Sequence, residues 1–401
     1  MLSVDYCILG AGPSGLTFAN ALRRENPEAT FVVLEKEPTA GGLCRSTVVD
    51  GQPLDIGGGH FLDTKRKNVV DFLFQFLPET EWNLHSRISK IHLQQTLVDH
   101  PLEANLWQLP LDTQVDFLES IARTGSVNHA PAPTAFADWI EWKLGPKIAH
   151  DYMLPYNRKI WSMDLNALGT YWLHKLPDVS FRQTLENCLT QRSKARLPAH
   201  GQFYYPKNYG YGEVWRRMAL ALGDRFRPNT PLHSIDLQAQ VLNGTVRYQR
   251  IVNTIPWSAW SVAAPLPDAI RHSIHALQHI AIDIDYYPEN LPTDAHWTYE
   301  PNESIPYHRI LHRHNFVPMG RGYWTETNSQ RAKPSPHFSH RNAFAYPVNT
   351  IDKPQKIAEI RAWAEAHHII PLGRWGTWDH MNSDVAVDEA LKTQRQHAPN
   401  L

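Results

Sequence analysis

Three glycines near the N-terminus have the spacing of a phosphate-binding turn. They form the pattern Gly10-x-Gly12-x-x-Gly15, and Glu35 follows Gly15 by 20 residues (35 − 15). In such a turn the first glycine permits the tight bend, the second lets the backbone approach a pyrophosphate, and the third lets a helix pack on a strand. The helix N-terminus offers amide donors to the phosphates, and the acidic residue binds ribose hydroxyls. The pattern predicts a dinucleotide site; the alternative is a purely structural turn.

Two further glycine turns follow within 45 residues of the first. Their candidate cofactor-binding residues are Gly42, Leu43 and Arg45 in Ala40–Thr47, and Gly58, Gly59 and His60 in Leu54–His60. Three glycine turns suit a long, extended dinucleotide such as FAD better than a nicotinamide cofactor. The alternative for the paired glycines is a set of bare flexible turns.

The elements that must position these turns form a βαβ unit with a parallel sheet. Val4–Leu9 reads as a strand, Leu16–Leu22 as a helix, and Thr30–Leu34 as a second strand. Between Pro110 and Lys194 the apolar spacing predicts a separate helical domain, including a helix over Phe136–Gly145 that stops at Gly145.

Strands return after Gly201. Asn243-Gly244 predicts a hairpin, Ile251–Pro256 a buried strand, and Ile280–Tyr287 a further strand.

Composition excludes several function classes. The 401 residues carry 39 basic and 40 acidic side chains, a net charge of −1, with a pI near 7.1 and 42% hydrophobic residues. Nucleic-acid-binding proteins usually have a pI above about 9, and disordered chains combine low hydrophobicity with a high net charge, so neither class is expected. The N-terminus lacks signal-peptide features, and no apolar run approaches the roughly 18 residues of a membrane span. The three cysteines favour neither disulfides nor zinc, so we expect a cytoplasmic protein without a membrane partner.

Histidine clusters are not expected to bind metal. His312-Arg313-His314 and His367-His368 lack acidic partners at metal-ligand spacing, so both clusters are expected to be solvated.

Several segments together resemble a flavoenzyme family. The glycine turns are similar to those of FAD proteins of the glutathione-reductase-like class, which includes amine oxidases, protoporphyrinogen oxidases and UDP-galactopyranose mutases. More specifically, the chain resembles the UDP-galactopyranose mutases, closer to their eukaryotic-type branch. The segments that carry this resemblance are His100–Pro110, Phe136–Trp139, Ile148–Trp161 with its Pro-Tyr-Asn-x-Lys-hydrophobic-Trp string, Val252–Pro256 and Gly373–Trp378.

The resemblance implies an α/β fold and a domain division. A Rossmann-like FAD-binding domain would comprise residues 1–84, 202–262 and 340–401. A helical substrate domain would occupy residues 103–201, and an antiparallel sheet domain residues 85–102 and 263–339.

The resemblance also implies an activity. Reduced flavin N5 would form an adduct with a nucleotide-diphosphate sugar, UDP-galactose or a related one, and interconvert its pyranose and furanose forms for cell-surface polysaccharide or glycoconjugate synthesis. NAD(P)H is a candidate reductant, and the chain is a candidate homo-oligomer. The alternative is a redox FAD enzyme of the amine oxidase or protoporphyrinogen oxidase type.

Site residues follow from the same resemblance. The catalytic residues would be His60 and Arg309, and the remaining cofactor contacts would be Arg374 and Trp375. The substrate would contact Asn105, Tyr156, Asn157, Trp161, Lys175, Arg309 and His380.

The sequence also departs from the family pattern and leaves alternatives open. Lys175 replaces an arginine, Glu103 a glutamine and His380 a tyrosine, and a glycine run is missing at Asn208–Glu213. These changes leave open an altered substrate. Alternatives from the residues alone are a surface salt bridge for Arg309, a packed or surface histidine at 60, and core packing for Trp161.

Overall fold

The computed structural model describes residues 1–173, 179–193, 201–317, 319–333 and 335–397. The strands, in chain order, are β1 Leu2–Leu9, β2 Phe31–Leu34, β3 Ser46–Val49, β4 Gln52–Asp55, β5 Leu62–Asp63, β6 Trp82–Ser86, β7 Ser89–Leu93, β8 Thr96–Asp99, β9 Gln202–Pro206, β10 Phe226–Arg227, β11 Ile235–Asp236, β12 Val241–Leu242, β13 Val246–Asn253, β14 His279–Tyr287, β15 Trp297–Tyr299, β16 Arg309–His312, β17 Tyr323–Asn328, β18 Phe338–Pro347 and β19 Ile369–Pro371. The α-helices are α1 Pro13–Glu25, α2 Lys67–Leu73, α3 Leu102–Asn105, α4 Leu111–Ala122, α5 Phe136–Ile148, α6 Leu154–Trp161, α7 Phe181–Thr190, α8 Gly212–Leu220, α9 Ser258–Ala263, α10 Asp268–Ala276, α11 Lys353–Ala366, α12 Gly373–Gly376 and α13 Ser383–His397.

The first sheet has the strand order β10-β2-β1-β13-β12-β11, with β19 also paired to β13. Strand β1 runs parallel to β2 and β13, as the βαβ prediction requires. Its residues alternate between two hydrophobic cores: Ile8 packs into one, and Cys7 and Leu9 pack into the other. A parallel sheet buried on both faces is the expected arrangement, because helices cover both sides.

The second sheet is largely antiparallel, in the order β18-β14-β17-β16-β15-β7-β8. Its register places Tyr299, Arg309 and Glu326 opposite one another on three adjacent strands. Residues directly opposite in antiparallel strands have Cβ atoms about 5 Å apart and share one face. This row of three side chains is the part of the sheet that faces the candidate site.

The predicted helical region forms, and Gly145 interrupts its helix as predicted. At Gly145 φ is +81° and ψ is 156°, outside the helical range, so α5 consists of two helical pieces joined by a kink at this residue. A π-helical turn over Ala149–Met153 then leads directly into α6. The hairpin at Asn243-Gly244 is confirmed between β12 and β13.

Two predicted domain boundaries fall within strands. The boundary at residue 340 divides β18, which belongs wholly to the second sheet, and the boundary at 84 divides β6. Strand β6 pairs with β9, and β9 also pairs with β5, in a separate three-stranded sheet. The division into three domains is otherwise still a prediction. No helix in the described ranges is both long enough and apolar enough to cross a bilayer.

Candidate functional site

The first glycine turn is built so that no side chain would fit at its tightest point. Gly10 adopts φ +95°, and a Cβ on Gly15 would lie 2.1 Å from the carbonyl oxygen of Gly10. The second turn approaches the first closely, since a Cβ on Gly42 would lie 3.2 Å from the Cα of Gly12. The two turns therefore leave bare backbone where a phosphate has to come close.

Helix α1 begins at this turn without a side-chain cap. Its N-cap residue is Gly12 and Pro13 follows, so the first-turn amides of Ser14 and Gly15 have no capping side chain. Such a helix end is suited to a phosphate. Buried Glu35 lies beside it at the end of β2 and accepts hydrogen bonds from Ala11 N (2.7 Å) and Glu37 N (2.9 Å). These residues fit a dinucleotide in the manner predicted.

The C-terminal glycine–arginine segment packs against the same helix end. A Cβ on Gly373, at φ +71°, would lie 2.2 Å from Ser14 Oγ. Arg374 donates to the carbonyl oxygens of Ala345 (2.8 Å) and Met381 (2.7 Å), which fixes its guanidinium at the edge of a cavity. The Trp375 ring instead packs in the core against Phe344 and other aromatic rings, so any cofactor contact of this residue would have to come from its backbone.

The third glycine turn is held by a carboxylate. The Gly59 amide donates to Glu326 Oε1 (2.9 Å), and a Cβ on Gly58, at φ +94°, would lie 2.5 Å from that oxygen. His60 Nδ1 donates to the Gly58 carbonyl oxygen (3.2 Å), and burial together with the Arg374 charge lowers the pKa of His60 to about 4. His60 is therefore neutral at pH 7, with Nε2 left as a hydrogen-bond acceptor.

A cavity of about 370 Å³ lies where this turn, the helical region and the second sheet meet. The size is within the usual range for a small-molecule site. Of the sequence-predicted residues, the cavity brings together Gly59, His60, Tyr156, Asn157, Trp161, Arg309, Arg374 and His380. Arg87, Lys143, Arg309 and Arg374 supply positive charge to the described lining, and Glu103 is its carboxylate.

Arg309 is paired with Glu326 across β16 and β17. Its Nε donates to Glu326 Oε2 at 2.7 Å, its Nη2 lies 2.5 Å from that oxygen in the ion pair, and His308 Nε2 lies 3.5 Å from it. Glu326 is buried, yet the Arg309 charge and the hydrogen bonds from His308 and Gly59 lower its pKa to about 2. Arg309, whose side chain is 20% exposed, is thus paired with a buried carboxylate rather than held in a surface salt bridge. Its Nη1 has no hydrogen-bond partner within the described part of the chain and lies at the cavity.

Arg87 lines the same cavity as Arg309. Arg87 donates to Ser89 Oγ (2.9 Å), to His100 Nδ1 (3.1 Å) and to Tyr299 Oη (3.3 Å), and its guanidinium lies 4.7 Å from the Trp297 ring centroid. The bond from Arg87 fixes the His100 tautomer with Nδ1 as the acceptor, and burial lowers the pKa of His100.

Aromatic rings of the helical region form the opposite wall. The Tyr156 ring lies 5.5 Å from the Tyr299 ring and 6.1 Å from that of His308. Asn157 donates to the Met153 carbonyl oxygen and accepts from Trp161 Nε1, so its amide orients the tryptophan. Trp161 is largely buried and lines the cavity at one edge, which combines the two roles considered for it.

The other predicted substrate contacts have different outcomes. His380 lines the cavity with its ring 4.8 Å from that of Tyr346. Asn105 does not line it: the side chain is buried and donates to the Pro101 carbonyl oxygen (2.9 Å), which stabilises α3. Its segment ends in a short helix that turns this residue into the core, so the structure does not bring Asn105 together with the other predicted substrate contacts. Lys175 lies outside the described residues.

Sequence reasoning missed Glu326, Arg87 and Tyr299. One signal was present for Glu326: it belongs to four consecutive polar residues, Thr325–Asn328, that follow two aromatic ones, an unusual composition for a strand. All four are buried in β17.

The expectation of solvated histidine clusters is wrong for one of the two. His312 and Arg313 are buried, and Arg313 donates to the Val49 carbonyl oxygen (2.7 Å). The end of β16 enters the core, which the sequence alone does not indicate. Over the described residues, no group of three or more His, Cys, Asp or Glu side chains is arranged to hold a metal.

Sequence comparisons match a small part of the chain. Residues 8–76 match the model of the NAD(P)-binding Rossmann-like domain. A coproporphyrinogen III oxidase of Mycobacterium tuberculosis is 40% identical over 59 residues, 14% of this chain and 13% of the relative. An uncharacterized protein from the nifH2 3′ region of Methanothermococcus thermolithotrophicus is 48% identical over 50 residues, 12% of this chain and 46% of that one. This chain therefore matches only a minor part of these relatives' length.

Solved structures match over nearly the whole chain. A reduced UDP-galactopyranose mutase superposes with a TM-score of 0.88 at 21% identity, covering 99% of this chain and 94% of the other. A putative protoporphyrinogen oxidase from Exiguobacterium gives 0.74 at 15% identity, with 99% of both chains covered. A putrescine oxidase bound to putrescine gives 0.63 at 15% identity, also with 99% of both covered. The chain has the Rossmann-like fold of flavoprotein mutases and oxidases.

Proposed function

We propose that the chain is an FAD-dependent mutase that interconverts the pyranose and furanose forms of a nucleotide-diphosphate sugar. The observation that carries this proposal is Arg309, which is paired with Glu326 through Nε and Nη2 and lines a cavity beside the His60 turn, while its Nη1 has no hydrogen-bond partner among the described residues. A guanidinium with donors left over is suited to a diphosphate, since arginine binds phosphate oxygens with charge-assisted hydrogen bonds.

The glycine turns support FAD as the cofactor. Gly12 and Gly42 leave bare backbone next to the uncapped start of α1, and Glu35 lies at the position that binds ribose. When bound and reduced, the flavin would supply a nucleophilic nitrogen, which is the chemistry that the fold itself lacks.

The residues of this chain would bind, orient and shield the substrate. Arg309 Nη1 holds the diphosphate, and Arg87 adds positive charge nearby. His60, neutral at pH 7, accepts a hydrogen bond at Nε2. The Tyr156 and Trp161 rings on the helical side exclude water and offer faces for a base or sugar. UDP-galactose is the default substrate.

A redox FAD enzyme of the amine or protoporphyrinogen oxidase type is the second candidate. Glu103 in the cavity lining favours it, because a carboxylate could pair with a substrate ammonium. The cations Arg87, Lys143, Arg309 and Arg374 line the same cavity and would repel such a substrate. An anionic substrate fits the balance of charge better.

Turnover assays separate the two candidates. The purified FAD-loaded protein is reduced with dithionite and given UDP-galactofuranose, and formation of UDP-galactopyranose is followed by chromatography, with oxidised protein as the control. Conversion by the reduced protein alone supports the mutase. Absence of conversion, together with hydrogen peroxide production from an amine or a porphyrinogen, would overturn it in favour of the oxidase.

A further inference from the structure

Lys159 is a buried lysine outside the cavity lining. It lies on α6 with no exposed surface, and its Nζ donates to the carbonyl oxygens of Glu300 (2.6 Å) and Asn302 (2.8 Å). The same Nζ lies 5.9 Å from the centroid of the Tyr307 ring. Burial lowers the pKa of Lys159 to about 7, and the amine can donate both hydrogen bonds in either protonation state, so this arrangement joins the helix to one loop.

That loop is the connection between two strands of the cavity wall. Residues 300–308 join β15 to β16, so Tyr299 precedes the loop and Arg309 follows it. The Glu300 amide donates to the His308 carbonyl oxygen (2.9 Å), which closes the base of the loop. The Glu300 carboxylate accepts from the Asn302 amide (2.9 Å) within the loop and from His92 Nδ1 (2.7 Å) on β7.

Helix α6, which carries Lys159, also forms the opposite wall of the cavity. Tyr156 lies three residues earlier, on the same face of α6, and its ring contacts those of Tyr299 and His308. Asn328 Nδ2 also donates to the Ile160 carbonyl oxygen (2.8 Å), which joins the end of α6 to β17. Helix and sheet are therefore joined directly at this point.

We propose that Lys159 is a positioning residue: by holding the carbonyls of Glu300 and Asn302, it fixes Arg309 and Tyr299 relative to Tyr156. This inference rests on the proposed function for the identity of the ligand, a nucleoside diphosphate. Lys159 itself touches neither the ligand nor the cofactor. Its loss displaces the loop and with it the diphosphate-binding guanidinium.

Substitution of Lys159 tests this role. Lys159→Met removes the hydrogen-bond donor at similar side-chain length, and Lys159→Gln is too short to reach both carbonyls. The matched control is Arg158→Met, on the same helix, where the removed cation is 52% exposed and lies 3.7 Å from Glu303 in the same loop. Each protein is tested with FAD bound.

Two measurements are compared. Hydrogen–deuterium exchange should become faster in residues 300–308 of the Lys159 variants and stay unchanged in Arg158→Met. The dissociation constant for UDP, by calorimetry, should rise at least ~10-fold in Lys159→Met and less in Lys159→Gln, because small misplacements of a binding group are costly. In turnover assays of the Lys159 variants, KM should rise by a larger factor than the factor by which kcat falls.

The outcomes are distinguishable. Wild-type exchange in residues 300–308 and wild-type UDP affinity in Lys159→Met overturn the inference; if that variant does not fold, the same result in Lys159→Gln overturns it. A wild-type protein that does not bind UDP contradicts the proposed function instead, and the exchange measurement then decides the role of Lys159 alone. Faster exchange and weaker binding in Arg158→Met as well would also overturn the inference, since any cation at the loop would then suffice.

Discussion

Glu326→Gln is the substitution that most directly perturbs the candidate site. The wild-type carboxylate accepts from the Gly59 amide and from Arg309 Nε, and it lies 2.5 Å from Arg309 Nη2 and 3.5 Å from His308 Nε2. Glutamine keeps the shape and one acceptor oxygen but removes the charge. Arg309 then loses its counter-ion, and the His60 turn loses part of its anchor.

The magnitude follows from the pKa of Glu326, which the folded state lowers from its ordinary value near 4.5 to about 2. Each unit corresponds to about 1.4 kcal/mol, so the native environment of the charged carboxylate contributes on the order of 3 kcal/mol at pH 7. Breaking a buried ion pair from one side typically costs about 3–5 kcal/mol, which agrees with this value. We expect Glu326→Gln to lower the free energy of unfolding by about 3 kcal/mol.

The pH dependence gives the sign. A lowered pKa means that this stability is fully present above about pH 4.5 and is lost as the pH falls toward 2. Urea unfolding of wild type and variant should therefore differ most at neutral pH and converge in acid. Glu186→Gln, which removes a partly exposed partner of Arg182, is the control and should change stability by no more than about 0.5 kcal/mol. A variant as stable as wild type at pH 7, or a difference that does not change down to pH 3, would show that the Glu326 charge does not stabilise the folded protein.

Three further substitutions test other parts of the site. Gly15→Ala places a Cβ 2.1 Å from the Gly10 carbonyl oxygen and should yield protein with little bound flavin, measured as the ratio of absorbance at 450 nm to that at 280 nm. The control is Gly223→Ala, whose Cβ meets nothing within 4 Å and which should keep its flavin. A Gly15→Ala protein with as much flavin as wild type would contradict the role of this turn in flavin binding. Arg309→Met should weaken UDP binding by roughly 10- to 100-fold, because hydrogen bonds to charged groups are worth about 1.5–3 kcal/mol, while flavin content stays at the wild-type level; unchanged affinity would remove Arg309 from the site. Asn105→Ala should lower the melting temperature but change UDP affinity less than about twofold, since no binding group is lost; a large loss of affinity would restore the substrate role that the resemblance assigned to this residue.

The cofactor half of the site could be predicted because its determinants are local. Gly10, Gly12 and Gly15 restrict where side chains fit, and the flanking apolar periods identify a strand and a helix within 30 residues. The structure has this βαβ unit, and Glu35 ends its second strand as expected. Short-range backbone rules are sufficient for such a unit.

The substrate half depends on contacts that the sequence does not display. Arg309 and Glu326 lie 17 residues apart and meet only through the register of β16 and β17. The His312-Arg313 pair looks polar and is buried, because the end of β16 turns into the core. The inward rotation of Asn105 similarly depends on tertiary packing. Eight of the predicted site residues line the cavity, but the carboxylate that pairs with Arg309 was not among the predictions.

The Arg309 cavity is proposed to bind a nucleoside diphosphate. A crystal structure of the FAD-loaded protein with UDP shows whether it does. We predict a diphosphate oxygen within hydrogen-bond distance of Arg309 Nη1, with the Glu326 pair intact and the base among the aromatic rings of the helical wall. UDP bound elsewhere, or no nucleotide in this cavity in a crystal grown with saturating UDP, would contradict the assignment of a diphosphate site to Arg309.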